Sequence, residues 1–230
     1  MKSLIEYINE SNNIELVSDG NEHGFDYVDL GLPSGTMWAT CNVGADKPED
    51  EGLLFQFGRV DGYRYGDSNN QFRTNKQNLI DGTLYTPQTT SGKVYNENDI
   101  LDLENDAVHV HMGGKWRMPT GGYNESTKQY EGDFNELLSN TKHDVCTVNG
   151  VAGMLFTSNI NGHKLFIPFI QGYWCNRYSA LKSTGLMWFS KVYSSDVNRA
   201  YTLGYNYSGY ADLNVHYRIY ALPVRGVFNS

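Results

Sequence analysis

The sequence contains few cysteines, and they lie far apart. Cys41, Cys146 and Cys175 form no CxxC pair among 230 residues. Zinc sites and small disulfide-framed domains depend on closely spaced cysteines, so neither class is indicated, although a single disulfide is compatible with this spacing. We interpret the three thiols as small, mostly buried hydrophobic side chains.

Long apolar segments are also missing. No run of 18 apolar residues occurs, and the opening MKSLIEYINESNN contains neither an apolar stretch of signal-peptide length nor a small-residue cleavage site. The sequence therefore predicts a chain that does not insert into a membrane and does not use the usual export signal. A role outside a cell would then require delivery within a particle such as a virion, or a leader missing from this sequence.

Basic side chains are scarce in the first half. Residues 1–110 hold 19 acidic and 7 basic side chains, residues 111–230 hold 7 acidic and 11 basic ones, and the net charge is −8. A surface that binds a phosphate backbone needs clustered Lys and Arg, so nucleic acid is not expected as a partner.

Glycine and tyrosine are abundant instead, with 24 and 17 residues. This composition favours short strands and many turns. The length favours one main domain, residues 25–230, preceded by an N-terminal helix and connector, residues 1–24. Leu4, Ile5 and Ile8 have helical spacing, and this helix would either pack on the domain or attach it to a larger assembly.

Local patterns predict the strands. A hairpin with strands Tyr27–Leu30 and Met37–Val43 opens the domain, and Asn161-Gly162 marks a two-residue turn between two apolar runs. The polar stretch 61–110 is predicted to form long loops. Further strands are expected around Leu84-Tyr85, Met187–Phe189, Ala200–Gly204 and Ala221–Val227.

The segment EGDFNELLS, residues 131–139, predicts the most distinct helix. Asp133 is placed as its N-cap and Glu136 as the capping-box partner three residues later. The acidic stretch 96–106 lacks the glycine and ligand spacing of a calcium loop, so we interpret it as a solvated loop or a short helix.

No catalytic constellation stands out. His109 and His111 alternate in VHVHM, which on an extended segment would place both rings on one side, but without a third ligand we interpret them as a polar strand face. Asp196 and Asp212 are isolated acids, more simply explained as hydrogen-bonding surface. We predict no enzymatic activity, no cofactor and no metal site.

Several sequence blocks resemble one known family and follow its order. They are VDLGLPSGTMWATCNVGA at 28–45, LLFQFGRV at 53–60, GGKWRMPT at 113–120, NGVAGMLFTSNINGHKLFIP at 149–168, GLMWFS at 185–190 and LPVRGV at 222–227. They are similar to the Fibrobacter succinogenes major paralogous domain, a family of gut Bacteroidetes and their phages. The resemblance implies an α+β fold related to C-type lectins and formylglycine-generating enzymes, with a mixed sheet, one or two helices and long loops.

The resemblance does not imply a metal-dependent activity. The oxidative chemistry of formylglycine-generating relatives depends on copper bound by a cysteine pair, and nothing near Cys146 and Cys175 in the sequence supports such a site. The EPN or QPD tripeptide and the WND run of calcium-dependent C-type lectins do not occur. The sequence departs from the family pattern at two further places. One is the bulky segment 169–196, with Phe189 before Ser190, and the other is the Leu222-Pro223 pair. We expect metal-free recognition.

Domains of this kind also serve as variable proteins of diversity-generating retroelements, which scatter Asn, Tyr, Ser and Asp over a binding face. Residues 176–220 contain 8 Tyr, 6 Ser and 4 Asn. Tyrosine provides contact area at small entropic cost, while Ser and Asn provide adaptable hydrogen bonds. The predicted ligand-binding face comprises Trp174, Asn176, Tyr178, Lys191, Tyr193, Ser195, Asp196, Asn198, Tyr201, Tyr205, Asn206, Tyr207, Tyr210, Asp212, Asn214, His216 and Tyr217.

Other large side chains of the family blocks are assigned to the scaffold. Trp38, Trp116 and Trp188 lie next to Gly or Pro or within strand patterns, and are predicted to fill the core. Arg225 is predicted to lie buried with a polar partner.

The resulting expectation is a receptor-binding adhesin on the tail or head fibre of a Bacteroides phage virion. It would be displayed as a homo-oligomer, with a trimer favoured, because multivalency strengthens weak contacts. Residues 1–24 would contact virion proteins, and the ligand would be a host cell-surface glycan or protein. The alternatives are a capsid-decoration protein without such a ligand, a bacterial surface adhesin whose export signal is missing, and an ordinary strand surface in the tyrosine-rich segment.

Overall fold

The computed structural model describes residues 14–64, 79–80, 83–84, 89–170, 173–174, 177–178 and 184–230. For the four residue pairs in this series only the backbone is described. The predicted N-terminal helix, Cys175 and Asn176 lie outside the described residues. Within them the protein is α+β, with many short strands and two α-helices, none long and apolar enough to cross a membrane.

The elements follow one another in short units along the chain. The strands are β1 (Gly20–Glu22), β2 (Phe25–Asp29), β3 (Thr36–Asn42), β4 (Leu54–Gln56), β5 (Leu79–Ile80), β6 (Thr83–Leu84), β7 (Gly122–Asn124), β8 (Gln129–Glu131), β9 (Thr141–Val148), β10 (Val151–Ser158), β11 (Lys164–Pro168), β12 (Tyr173–Trp174), β13 (Arg177–Tyr178), β14 (Thr184–Val192), β15 (Arg199–Asn206), β16 (Ala211–Tyr217), β17 (Ala221–Pro223) and β18 (Arg225–Asn229). The helices are α1 (Ala107–Met112) and α2 (Gly132–Asn140).

Four antiparallel sheets carry the architecture. Their strand orders are β1-β2-β3-β18, β11-β10-β9, β13-β12-β17-β4 and β14-β15-β16, and β5-β6 and β7-β8 form separate hairpins. The sheet that holds β2 and β3 confirms the predicted opening hairpin. Its first strand begins at Gly20, inside the predicted connector, where Gly20 pairs with Tyr27.

The second predicted hairpin is also present, with a longer turn than expected. Met154 pairs with Ile167 and Phe156 with Leu165, as their apolar runs predicted. Five residues rather than two separate β10 from β11. Ser158 closes this loop, since its Oγ accepts a hydrogen bond from Ile160 N at 3.0 Å and donates one to Leu30 O at 2.6 Å.

Helix α2 confirms the strongest helix prediction, but its predicted capping box was wrong. Glu131 occupies the N-cap position without a side-chain cap, and Asp133 lies inside the first turn. The Glu136 carboxylate instead accepts hydrogen bonds from the backbone N of Ser34, at 2.7 Å, and from its Oγ. Glu136 therefore binds a distant part of the chain, and Asp133 does the same by pairing with Arg117. These tertiary contacts override the local capping pattern.

The VHVHM segment is helical rather than extended, so the predicted shared side for its histidines was wrong. Asp106 caps α1 by accepting a hydrogen bond from His109 N at 3.0 Å. Side chains two positions apart on a helix do not face each other. His109 Nδ1 accordingly contacts Trp116 O at 3.0 Å, whereas His111 Nε2 contacts Val60 O at 2.9 Å.

The predicted scaffold residues do fill the core. Trp38, Trp116, Trp188 and Arg225 are fully buried. Arg225 donates from Nε to Asn42 Oδ1 at 2.9 Å and from Nη1 to Phe166 O at 2.7 Å. Burial lowers the pKa of its guanidinium to about 10. These contacts join β18 to β3 and β11 at the centre of the molecule.

The two cysteines within the described residues are free thiols. Cys41 and Cys146 are half-buried rather than fully buried. Burial, followed by the charge of Asp144, raises the pKa of the Cys146 thiol to about 12. At neutral pH the Cys146 thiol is therefore protonated, and its half-buried position agrees only in part with the prediction of mostly buried thiols.

Candidate functional site

The predicted binding residues centre on the β14-β15-β16 sheet. Its middle strand β15 pairs with β14 on one side and β16 on the other. Successive side chains of a strand point to opposite faces, so β15 divides its residues between the core and the second face. This alternation decides which of the predicted residues can meet a ligand.

One face of β15 belongs to the core, and two predicted site residues lie on it. Tyr201 and Tyr205 are only 1% and 2% exposed. The Tyr205 hydroxyl donates to Pro168 O at 2.8 Å, and burial raises its pKa. Tyr193 packs edge-on against Tyr201, with ring centroids 5.4 Å apart. Assigning Tyr201 and Tyr205 to an exposed binding face was therefore a misassignment, because tyrosine composition does not distinguish core from surface.

The other face of β15 carries smaller residues beneath polar side chains from β16. His216 Nδ1 and Thr202 Oγ1 share a hydrogen bond of 3.1 Å. The Asn214 amide lies over Gly204, where an added Cβ would come within 2.2 Å of it. Burial, and then the charge of Arg199, lowers the pKa of His216 to about 4, so this imidazole is neutral at pH 7.

The turn between β15 and β16 displays tyrosines to solvent. Tyr207 and Tyr210 are 40% and 53% exposed. Asn206 Oδ1 holds the turn by accepting a hydrogen bond from Ser208 N at 2.9 Å, and Gly209 adopts a φ of 80°. The turn is thus a short, internally bonded support for two exposed rings.

A tyrosine patch forms where this turn meets the β7-β8 hairpin. We define the patch as Tyr123, Tyr130, Tyr210 and Asp212. The Tyr210 hydroxyl hydrogen-bonds the Asp212 carboxylate, and the Tyr130 side chain lies near the same carboxylate. Tyr123 and Tyr130 are cross-strand partners whose ring centroids lie 5.7 Å apart. The hydrogen bond to Asp212 raises the pKa of Tyr210, and burial followed by Asp212 raises that of Tyr130, so both phenols stay protonated.

A second cluster lies at the opposite end of the β15-β16 pair. Arg199 Nη2 donates to the Tyr217 hydroxyl at 2.9 Å, and its guanidinium lies 4.5 Å from the Tyr217 ring centroid. Asp196 contacts Arg199 Nε at 3.3 Å and accepts a hydrogen bond from Asn198 Nδ2 at 3.0 Å. Tyr205 lies six positions after Arg199 on the same strand, a distance of roughly 20 Å. The structure therefore divides the predicted face into two clusters.

The remaining predicted residues take separate places. Lys191 pairs with Glu131 of β8, next to the tyrosine patch. Ser195 is exposed in the turn before β15. Trp174 and Tyr178 lie in β12 and β13, where only the backbone is described, and Asn176 lies outside the described residues.

Sequence reasoning missed Tyr123, Tyr130 and Arg199. The two tyrosines precede the tyrosine-rich segment by many residues, and only the fold brings them to Asp212. One signal was available, since GYN and QYE flank a polar turn symmetrically and so place both rings on one side of a hairpin. Arg199 lay inside the segment but was not among the residue types sought.

The groups on this surface are phenol rings, amides and paired charges. In the part of the chain that the structure describes, no three His, Cys, Asp or Glu side chains group closely enough to hold a metal ion. Two grooves of about 180 and 260 Å³ run along β2 and β3, and share Asp26, Thr40, Cys41 and Asp46. Neither groove includes a residue of the tyrosine patch.

Comparison with protein-family models, curated proteins and solved structures finds no match for this chain. The α+β assignment therefore rests on the structure of this chain alone.

Proposed function

We propose that this chain is a non-enzymatic recognition module with a C-type-lectin-like fold that binds a ligand on the surface of a host bacterium. The order of the family-like sequence blocks supports this fold. Antiparallel sheets with two helices are compatible with it. In this proposal the module is an adhesin on the tail or head fibre of a phage virion.

The observation that carries the proposal is the presentation of Tyr207 and Tyr210. Both rings are substantially exposed on the β15-β16 turn, while Tyr201 and Tyr205 of the same sheet are locked in the core. Exposed aromatic side chains on a rigid support bind at low entropic cost, as in antibody binding sites. The bond from Tyr210 to Asp212 supports the idea that an exposed ring of this turn is held in place before a ligand arrives.

Cell binding tests this function directly. Labelled protein, assembled as a trimer through an added trimerisation tag, is applied to a panel of Bacteroides strains. We expect strain-selective binding that is lost in a Tyr207→Ala, Tyr210→Ala double variant. Tyr201→Phe is the matched control, because its ring is in the core and it loses only the 3.2 Å hydrogen bond to Ser194 Oγ.

Two results would contradict the proposal. One is a lack of binding to every strain, and the other is equal binding by the double variant and the wild type. In either case the capsid-decoration alternative would become the better account.

The attachment role of the N-terminal segment needs its own variant. Deleting residues 1–24 would remove β1, so the informative deletion is residues 2–13, which leaves the Gly20 to Tyr27 pairing intact. We expect the shortened chain to bind cells and to be absent from purified particles. Normal incorporation into particles would show that this role is wrong.

A further inference from the structure

The tyrosine patch joins two hairpins that are distant in the sequence. Tyr123 and Tyr130 belong to the β7-β8 hairpin, whereas Tyr210 and Asp212 belong to the β15-β16 hairpin. Tyr130 lies near Asp212 of the second hairpin, and Glu131 forms an ion pair with Lys191 of β14, the neighbouring strand of the same sheet. The β7-β8 hairpin is therefore part of the same surface as the tyrosine-rich turn.

The Tyr130 ring is held in place from several sides. It meets Tyr123 edge-on at 5.7 Å and Phe134 at 5.6 Å, with an interplanar angle of 85° to the latter. Phe134 is fully buried on helix α2, so the ring rests on the core. Tyr130 is nevertheless 42% exposed. A ring that is both fixed and accessible loses little conformational entropy when it binds.

The patch offers no unpaired cation to a ligand. Asp212 accepts the Tyr210 hydroxyl, its Oδ1 also accepts Leu213 N at 2.7 Å, and these neutral donors leave the carboxylate negatively charged. Lys191, with a side chain only 13% exposed, is paired with Glu131. The one cation of this surface, Lys191, is already paired, and the Asp212 carboxylate would repel a strongly anionic ligand. The surface instead offers ring faces and phenolic oxygens.

A neutral sugar has complementary chemistry. One face of a pyranose ring presents C–H groups that pack on an aromatic ring, and its hydroxyls hydrogen-bond at the rim. Tyrosine has the same combination of an apolar body and a polar tip. We infer that the tyrosine patch binds a neutral glycan without a metal ion, and that Tyr123 and Tyr130 belong to that site. This inference rests on the proposed function and specifies the ligand class of its site.

The ligand class is tested on the strain that binds best. One sample of cells is treated with periodate, which cleaves vicinal diols of sugars, and another with proteinase K. We expect binding to fall after periodate, to survive proteinase K, and to persist in EDTA. The polysaccharide released from the same cells is the probe for purified protein, and it should compete with the cells.

The residues are tested with point variants. We expect Tyr130→Ala to weaken binding to that polysaccharide by about fivefold to tenfold, the loss typical of one aromatic contact. Tyr130→Phe keeps the ring on Phe134, loses only the hydroxyl near Asp212, and should fall between wild type and Tyr130→Ala. The control is Phe25→Ala, which removes a ring 38% exposed on the separate sheet that contains β2.

The outcomes separate the two proposals. Failure to bind any strain would overturn the adhesin proposal and this inference together. Binding that resists periodate and is lost after proteinase K would leave the adhesin standing with a protein ligand, and would overturn the glycan. Wild-type affinity in a folded Tyr130→Ala protein would exclude the β7-β8 hairpin from the site.

Discussion

Arg117 and Asp133 face each other through two parallel hydrogen bonds, Nη1 to Oδ2 at 2.7 Å and Nη2 to Oδ1 at 3.1 Å. Thr120 adds its backbone N at 2.7 Å and its Oγ1 at 2.8 Å to the same carboxylate. Burial raises the pKa of Asp133, but the bonds from Arg117 and Thr120 outweigh it and the net pKa is lowered. The start of α2 is thereby tied to the GGKWRMPT block.

Replacing this acid should destabilise the fold. Asp133→Asn leaves Arg117 without its counter-charge, and we expect a loss of about 2–4 kcal/mol in the free energy of unfolding, measured by urea denaturation. Glu125→Gln is the matched control. It breaks the exposed Glu125 to Lys128 pair and should change stability by less than about 0.5 kcal/mol. Equal losses in both variants would contradict a special role for Asp133.

His216 should make stability depend on pH. Its pKa of about 4 in the folded protein lies below the ordinary 6.5, so the unfolded chain binds more protons between these values. The stabilisation is complete above pH 6.5 and is lost as pH falls towards 4, by on the order of 3 kcal/mol at most. Urea denaturation at several pH values should give a shallower dependence in His216→Gln. If His216→Gln and the wild type showed the same pH dependence of the free energy of unfolding between pH 4 and 6.5, His216 would not be its cause.

Two glycines on neighbouring strands should respond differently to a methyl group. A Cβ on Gly185 would lie 2.2 Å from the buried Tyr205 ring, whereas one on Gly204 would meet only the end of the exposed Asn214 side chain. We expect Gly185→Ala to cost more than about 2 kcal/mol, because a fixed core ring would have to move. Gly204→Ala should cost less, since Asn214 can turn away. Thermal unfolding of both variants measures this difference. Similar melting temperatures would contradict the prediction that Gly185→Ala costs more.

The Cys146 thiol should be unreactive in the folded protein. A pKa of about 12, against the ordinary 9.0, reduces its thiolate fraction at pH 8 by about a thousandfold. Iodoacetamide labelling followed by peptide mass spectrometry should find Cys146 unmodified under native conditions and modified in urea. Equal labelling in both conditions would contradict its burial.

The sequence predicted most strands because their signals are local. The apolar run Met154 to Phe156 and the turn residues Asn161-Gly162 are signals within a few positions, and they predicted the hairpin. The assignment of Trp38, Trp188 and Arg225 to the core was confirmed for a similar reason, since large side chains within strand patterns face inward.

The errors arose where distant contacts decide the structure. Asp133 left its predicted capping role for Arg117, and a cap from Asp106 made the VHVHM segment helical. The composition of the tyrosine-rich segment could not separate Tyr205 from Tyr207, which differ by two positions and occupy opposite environments. Local reasoning could place Tyr130 beside Tyr123 on the β7-β8 hairpin but not near Asp212, which comes from another hairpin.

The division of β15 and its turn between core and solvent also limits how this surface can evolve. Codons for Tyr201 and Tyr205 specify buried rings, so most replacements there would damage folding before they altered any interaction. Codons for Tyr207, Tyr210 and Asn214 specify exposed side chains and can change at little cost to the scaffold. A saturation-mutagenesis library selected for folding alone should therefore tolerate changes at Tyr207, Tyr210 and Asn214 but few at Tyr201 and Tyr205, and new specificities should arise from the tolerant positions.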